Sequence, residues 1–190
     1  MRLANKMDKK LVVEILSASF DQNNSFNTII KQDKNRKIRI RKVFEYFFNT
    51  WLNYGVIFLS DDDMACAIVG LPHLKKTTLR TILADIKLVS IIGVSSAKKG
   101  FSREAVIKKK HPKYPFYYLL FIGVLPEMQN KGIGGKLLAE IVYDSQKHLY
   151  PIYLETYLKK NIQFYNKFGF EIFDEVELGF PVYCMRRNLN

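Results

Sequence analysis

An apolar run, a glycine-rich loop and an amphipathic helix follow one another in this 190-residue chain and constrain its fold most. The run Tyr117–Val124 is almost wholly apolar, as in a strand buried on both faces. The loop Gln129–Gly135 holds three glycines, and residues 132–149 continue with apolar residues at helical spacing. Together with the helices, the hairpin and the further strands predicted around it, this segment predicts a mixed α/β sheet.

Such a loop binds phosphate oxygens through its backbone, because consecutive N–H groups point outward at the positive end of a helix. Two common phosphate motifs do not fit these residues. A Walker loop needs Ser or Thr after Gly-Lys, whereas Leu137 follows Lys136. The dinucleotide fingerprint GxGxxG needs glycine at position 137, where leucine also stands.

Hydrophobic periodicity predicts the other elements on either side of this segment. Two helices, a hairpin and two further helices are expected before it, and a strand, a helix and two strands are expected after it. The predicted helices span 9–20, 36–53, 77–92, 102–110, 132–149 and 161–167, and the predicted strands span 56–59, 64–70, 117–124, 152–155, 171–178 and 182–186.

Two sequence blocks resemble those of one enzyme superfamily. The loop reads Gln129-Asn130-Lys131-Gly132-Ile133-Gly134, which matches the pattern Gln/Arg-x-x-Gly-x-Gly/Ala. A second block, Asn161–Phe170, contains FYNKFGF and follows Leu154-Glu155-Thr156. The two blocks, in this order and separated by a helix and a strand, resemble the GCN5-related N-acetyltransferase (GNAT) superfamily. The His-Pro pair, the β-rich run and the GVxP sequence are most similar to its puromycin-acetyltransferase-like branch.

The resemblance implies a single GNAT-like α/β (α+β) domain over residues 1–190. Its sheet would be mixed and mostly antiparallel, with a splayed central parallel strand pair and helices on both faces. Residues 1–115 would supply substrate-side helices and a hairpin, and residues 116–190 the acetyl-CoA-binding core. Gly123 inside a strand suggests a β-bulge that separates the parallel strands.

The resemblance also implies acetyl-CoA as co-substrate. Its pantetheine arm would enter between the splayed strands, and its pyrophosphate would lie on the N–H groups from Gln129 to Gly134. The expected acetyl-CoA-binding residues are Ile122, Val124, Gln129, Asn130, Lys131, Gly132, Ile133, Gly134, Gly135, Asn161 and Tyr165. A helix N-cap is the structural interpretation of Asn161, and the two roles are compatible.

Three residues are expected to catalyse direct attack of an amine on the thioester. The N–H of Val124 would donate to the developing oxyanion. Tyr165 would protonate the coenzyme A thiolate, because a phenol stays protonated at neutral pH. Glu155 is the first candidate for the general base. The branch often has histidine where Phe116 stands here, so His111 is either a displaced base or, as is common for His-Pro, a structural residue.

The acceptor is expected to be the primary amine of a small molecule. A protein or peptide amine, or a non-catalytic role as an acyl-CoA sensor, remains an alternative. The net charge of +12 lies wholly in residues 1–115, which hold 22 Lys and Arg against 10 Asp and Glu. Because these charges are scattered and no nucleic-acid-binding motif accompanies them, we expect solubility rather than nucleic-acid binding.

The cysteine count and the hydropathy of the chain limit its class and its compartment. Cys66 and Cys184 form no CxxC pair, so neither a disulfide scaffold nor a metal site is expected. Cys184 is expected in the core. No apolar run approaches the length of a membrane span, and residues 1–6 lack the apolar core of a signal peptide. We therefore expect a cytoplasmic protein without membrane contact. It is expected to be a monomer or a homodimer.

Overall fold

The strands of the computed structural model, which describes residues 1–189, form one mixed sheet in the order β1-β2-β3-β4-β5-β7-β6. Only the β4–β5 pair is parallel, and every other neighbouring pair is antiparallel. The strands are β1 (Arg2–Leu3), β2 (Gly55–Leu59), β3 (Ala65–Gly70), β4 (Tyr117–Val124), β5 (Ile152–Thr156), β6 (Glu171–Glu177) and β7 (Pro181–Arg187). This arrangement confirms the predicted fold class.

Helices cover both faces of the sheet. They are α1 (Lys9–Ser19), α2 (Asn24–Asn27), α3 (Arg36–Tyr54), α4 (Leu79–Ile92), α5 (Val94–Lys108), α6 (Ile133–Lys147) and α7 (Lys159–Asn166). Alternation along β3 divides the core, because Cys66 and Ile68 pack with α1 and α3 whereas Ala67 and Val69 pack with α6. Each face therefore has its own apolar layer. No helix within residues 1–189 is long and apolar enough to cross a membrane.

Gly123 lets α1 approach the sheet closely. A Cβ at this position would lie 3.1 Å from both Leu16 and Ser19 of α1. The predicted bulge at Gly123 is wrong, since Gly123 pairs regularly with Cys66. The irregularity lies at Leu120: Leu119 pairs with Val69 and Phe121 with Ile68, so Leu120 between them has no partner on β3. A strand glycine can mark either a bulge or a close approach, and here it marks the approach.

Helix α4 has an exposed apolar face. Leu79 and Leu83 of α4 are 80% and 66% exposed, whereas Leu88 and Ile92 face the core. Asp85 instead accepts a hydrogen bond from the hydroxyl of Tyr46, so part of the α3–α4 contact is polar. Gly93 then takes a positive φ of 87°, and α5 begins eight residues earlier than periodicity predicted. The short strand β1 was also not predicted.

Candidate active site

The parallel strands β4 and β5 separate soon after they meet. Tyr117 pairs with Ile152 and Tyr118 with Tyr153, and no later residue of β4 pairs with β5. Both strands continue beyond that point, to Val124 and Thr156 respectively. Their facing edges therefore present unpaired backbone groups along a cleft.

The backbone N–H of Val124 points into this cleft. The N–H of the next residue, Leu125, donates to the carbonyl of Met64 at 3.0 Å, on the β3 side. Since N–H directions alternate along a strand, those of Val124 and Ile122 point toward β5. The carbonyl of Val124 faces the same way and accepts from the side-chain amide of Gln129 at 3.2 Å.

The glycine loop presents a row of free donors. Among residues 1–189, the N–H groups of positions 130–135 have no hydrogen-bond acceptor. Positive φ values of 62° at Asn130 and 81° at Gly132 turn the chain into α6. Gln129 differs from the expectation, because its own N–H donates to the carbonyl of Pro126 at 3.3 Å. The free row therefore starts at Asn130 and includes Lys131, Ile133, Gly134 and Gly135.

Tyr165 of α7 lies on the α6 side of the sheet. Its side chain is buried among apolar residues, with the ring of Phe170 at 5.5 Å. The hydroxyl has no hydrogen-bond partner among residues 1–189, and burial raises the pKa of this phenol above its ordinary value. The side chain therefore remains a proton donor throughout the neutral range.

Asn161 stands at the start of α7, beside the end of β5. Its side-chain amide lies 3.2 Å from the hydroxyl of Thr156. The N-cap interpretation is wrong, because Leu158 precedes the first helical residue and Asn161 is the third. The side chain is thus tied to the strand that borders the cleft.

Glu155 occupies β5 beyond its last pairing with β4. Its neighbour Leu154 packs with α6, so alternation places Glu155 on the opposite face. The hydroxyl of Tyr118 donates to Oε2 at 2.6 Å, and Nε2 of His111 lies 3.1 Å from Oε1. Tyr118 is half-buried, and both desolvation and the nearby carboxylate raise its pKa well above the ordinary value.

Sequence reasoning missed Tyr118 and did not decide the role of His111. Tyr118 stands in an aromatic run 37 residues before Glu155, and His111 stands 44 residues before it. No short motif links such distant positions. The signal that could have found Tyr118 is the expected parallel pairing of β4 with β5, which brings Tyr118 to the same face of the sheet as Glu155.

Cys184 pairs with Glu155 across β5 and β7. It is buried, as predicted, and burial together with the nearby carboxylates of Glu155 and Asp174 raises the pKa of its thiol to about 12. The thiol therefore stays neutral. No group of three or more His, Cys, Asp and Glu side chains in the described part of the chain could hold a metal ion.

Comparisons with known proteins agree with this geometry. Residues 86–172 match the family described as "Acetyltransferase (GNAT) domain", a range that contains both the glycine loop and Tyr165. Residues 86–172 thus match a GNAT acetyltransferase domain, and the enzymes of that family are acyl-CoA N-acyltransferases that use acetyl-CoA.

Three solved structures share the fold over nearly their whole length. One, described as "histone acetyltransferase HPA2 and related acetyltransferase" from Corynebacterium glutamicum, has a TM-score of 0.71 and 20% identity, and the match covers 100% of this chain and 95% of that one. Arylalkylamine N-acetyltransferase 2 from Aedes aegypti has a TM-score of 0.70 and 13% identity, and the match covers 100% of this chain and 98% of that one. The C-terminal condensation domain of Ebony, in complex with beta-alanyl-dopamine, has a TM-score of 0.70 and 8% identity, and the match covers 99% of this chain and 97% of that one.

Proposed function

We propose that this enzyme transfers the acetyl group of acetyl-CoA to the primary amine of a small molecule, by direct attack within a ternary complex. One observation carries this proposal. Glu155 lies on one face of the sheet beside the cleft between β4 and β5, and Tyr165 packs on the other face, where its protonated hydroxyl would face the reacting sulfur. An amine can thus lose its proton on one side while the thiolate gains one on the other.

The residues around the cleft fit acetyl-CoA. The free N–H groups of residues 130–135 would bind the pyrophosphate at the positive end of α6. The unpaired edges of Ile122 and Val124 would pair with the amides of the pantetheine arm, as an added strand would. Asn161, beside the end of β5, would contact the same arm.

The N–H of Val124 has a second role in the proposal. It points into the cleft where the thioester carbonyl would lie, and it can donate to the oxyanion that forms on attack. Because the strand fixes this donor in advance, no reorganisation is required during the reaction. Tyr165 then gives its proton to the sulfur, and Glu155 removes a proton from the acceptor nitrogen.

We assign residues 116–190 to acetyl-CoA binding and residues 1–115 to the acceptor side. Glu155 opens toward the face where the helices before β4 pack, and α5 ends close to it through His111. Two structures with this fold are described with small amines or their conjugates, which supports a small acceptor. The His-Pro and GVxP residues favour the puromycin-acetyltransferase-like branch.

The test is a panel of primary amines assayed for coenzyme A release. The panel contains aminoglycosides, aminonucleosides, arylalkylamines, polyamines and a peptide with a free N-terminus. Amine-dependent thiol release with a small amine, and formation of its N-acetyl product, are expected. Release with the peptide alone would favour protein acetylation. Binding of acetyl-CoA without release by any amine would favour a sensor instead.

A further inference from the structure

We propose that helix α4 and the first turns of α5 form a docking surface for a bilayer of anionic phospholipids, which we call the α4 surface (residues 74–102). In the bound state α4 would lie in the plane of the membrane with its exposed side toward the lipid. The proposal goes beyond acetyl transfer and does not depend on it, because it concerns where the enzyme acts and not what it transfers.

An apolar stripe runs along the exposed side of α4. Its four residues follow the spacing i, i+3, i+4, i+7, which places them on one face of a helix. They are 80%, 44%, 66% and 58% exposed, in the order Leu79, Ile82, Leu83 and Ile86. The opposite side of α4 supplies the core residues Leu88 and Ile92. Since one apolar face is enough to hold the helix on the protein, the second face needs another partner, and exposed apolar patches generally mark interaction sites.

Unpaired positive charge accompanies the stripe. The α4 surface contains one carboxylate, Asp85, whose side chain accepts the hydrogen bond of Tyr46. Arg80 and Lys87, seven residues apart, border one edge of the apolar stripe. Within residues 1–189, none of the six basic side chains of this surface has a carboxylate at ion-pair distance: Lys75, Lys76, Arg80, Lys87, Lys98 and Lys99. The surface therefore keeps its positive charge for an external partner.

The start of α5 has the same character. Val94 and Phe101 are both exposed, and their spacing of seven residues places them on one face of the helix. Lys98 stands between them on that face. Apolar and cationic side chains thus alternate beyond the end of α4.

An anionic bilayer satisfies both properties of this surface. Anionic headgroups attract Lys and Arg side chains near the membrane. The boundary between headgroups and acyl chains accepts apolar side chains of a surface helix to a depth of about 5–10 Å. Charge and hydrophobicity therefore favour the same partner.

Two other occupants match only one of these properties. In a symmetric dimer the same patch of both copies meets, so the six cations of each copy would face those of the other, which is unfavourable. The phosphates of a nucleic acid would match the cations but would leave the apolar stripe in water.

The length of α4 fits a position on the membrane and not a crossing. The helix has 14 residues, whereas a membrane-spanning helix needs about 20. The expectation of no membrane contact rested on the lack of a spanning segment in the sequence. A helix that lies in the interface needs no such segment, so the proposal replaces that expectation.

Sedimentation of the whole chain with lipid vesicles tests the proposal. Vesicles of equal parts phosphatidylcholine and phosphatidylserine are compared with vesicles of phosphatidylcholine alone. We expect the partition coefficient to be about tenfold or more higher on the anionic vesicles, and to fall as added salt screens the charges.

Net charge of +12 would by itself adsorb a protein to anionic vesicles, so the decisive variant changes only the apolar stripe. Leu83→Gln keeps every charge and should lower the partition coefficient on anionic vesicles by about tenfold, because the leucine side chain loses its burial in the interface. The matched control is Leu3→Gln, at a leucine of 65% exposure on β1, which should bind as the wild type does.

A second pair of variants tests the cations. Arg80→Gln/Lys87→Gln is compared with Lys159→Gln/Lys160→Gln, which changes two exposed lysines at the start of α7. Each double variant loses two charges, so simple adsorption would weaken equally in both. We expect a loss of about tenfold or more in the α4 variant and a much smaller loss in the α7 variant.

A fluorophore at position 83 reports insertion directly. Cys66 and Cys184 are both buried, so an environment-sensitive thiol dye labels the new side chain in Leu83→Cys. Its emission should shift to the blue on anionic vesicles, whereas the same dye on Leu3→Cys should show no shift.

Lack of partition of the wild type onto anionic vesicles, or equal partition of wild type and folded Leu83→Gln, would overturn the proposal. A dimer in lipid-free solution that Leu83→Gln dissociates would overturn it as well, by assigning the stripe to a second copy. Should Leu83→Gln not fold, the dye on Leu83→Cys decides, and emission unchanged by anionic vesicles would reject membrane docking. Amine-dependent thiol release is measured separately, so failure of membrane docking leaves the proposed acetyl transfer intact.

Discussion

Gly134 in the first turn of α6 lies directly against Val124 at the end of β4. A Cβ on Gly134 would be 3.1 Å from Cγ2 of Val124, closer than an ordinary van der Waals contact. This contact places the free N–H groups of the loop beside the strand edge that opens into the cleft. Space and charge at this position should therefore decide whether acetyl-CoA binds.

The first prediction is that Gly134→Glu abolishes acetyl-CoA binding. The carboxylate would add bulk against Val124 and negative charge where the pyrophosphate is expected. Saturating acetyl-CoA, at about 100 times Kd, should stabilise the wild-type protein by about 2.7 kcal/mol and the variant by almost nothing. Thermal shift and calorimetry measure both effects.

Gly100→Glu is the matched control for that variant. Gly100 also lies in a helix, and a Cβ there would meet no atom within 4 Å. This control should bind acetyl-CoA as the wild type does. Wild-type affinity in Gly134→Glu would show that the phosphates bind elsewhere.

The second prediction is that Tyr165→Phe lowers kcat by about 10²–10⁴-fold, the usual contribution of a general acid. The ring and its packing against Phe170 remain, and only the proton donor is lost. Acetyl-CoA affinity should therefore hardly change. Steady-state and single-turnover kinetics, with chemistry shown to be rate-limiting, make the measurement.

The pH dependence of this effect has a definite sign. Burial raises the pKa of Tyr165, so its donor form persists to higher pH than that of a free phenol. The ratio of wild-type to variant rates should thus stay constant between about pH 7 and pH 10. A variant within about twofold of wild type would leave Tyr165 as a packing residue only.

Local patterns were enough to predict much of the fold and to propose part of the candidate site. The glycine loop and the Tyr165 block are contiguous in sequence, and their elements follow from periodicity and turn residues. The mixed, mostly antiparallel sheet with one parallel strand pair followed from the family resemblance, whereas the order of the strands did not. The helix starts were less accurate, because residues 94–101 of α5 carry few apolar residues that signal a buried face.

The missed features depend on contacts between distant residues. Periodicity alone could not show that the apolar face of α4 is the exposed one, since the partner of each face is set by tertiary packing. A glycine in the strand correctly indicated a special position at Gly123, but the expected cause, a bulge, was wrong. The close approach of α1 explains Gly123, and the bulge lies at Leu120. The partners of Glu155 likewise come from β4 and the preceding loop.

The third prediction concerns folding. Gly55 begins β2, and a Cβ there would lie 2.1 Å from the carbonyl oxygen of Val69 in the paired strand β3. A backbone atom cannot move aside as a flexible side chain can, so Gly55→Ala should lower the free energy of unfolding by about 1–3 kcal/mol or more. Gly100→Ala, in open space within α5, should raise it by about 0.5–1 kcal/mol.

Denaturant unfolding compares the two alanine variants directly. Equal stabilities would contradict the close approach of β2 and β3 at Gly55. The comparison controls for the entropy of the unfolded chain, since each variant replaces one glycine by alanine.

The fourth prediction is that duplex DNA binds weakly despite the charge of +12. Several cations of residues 1–115 are already paired, including Arg36 with Asp21 and Arg39 with Asp33. Binding should therefore be non-specific, with Kd of about 10⁻⁴–10⁻⁶ M at physiological salt and a steep loss of affinity as salt rises. Fluorescence anisotropy over a salt series measures the Kd for DNA and its salt dependence. Added heparin, a competing polyanion, tests whether the binding is specific to DNA. Nanomolar binding at physiological salt, retained in the presence of heparin, would instead assign the basic part of the chain to nucleic-acid recognition.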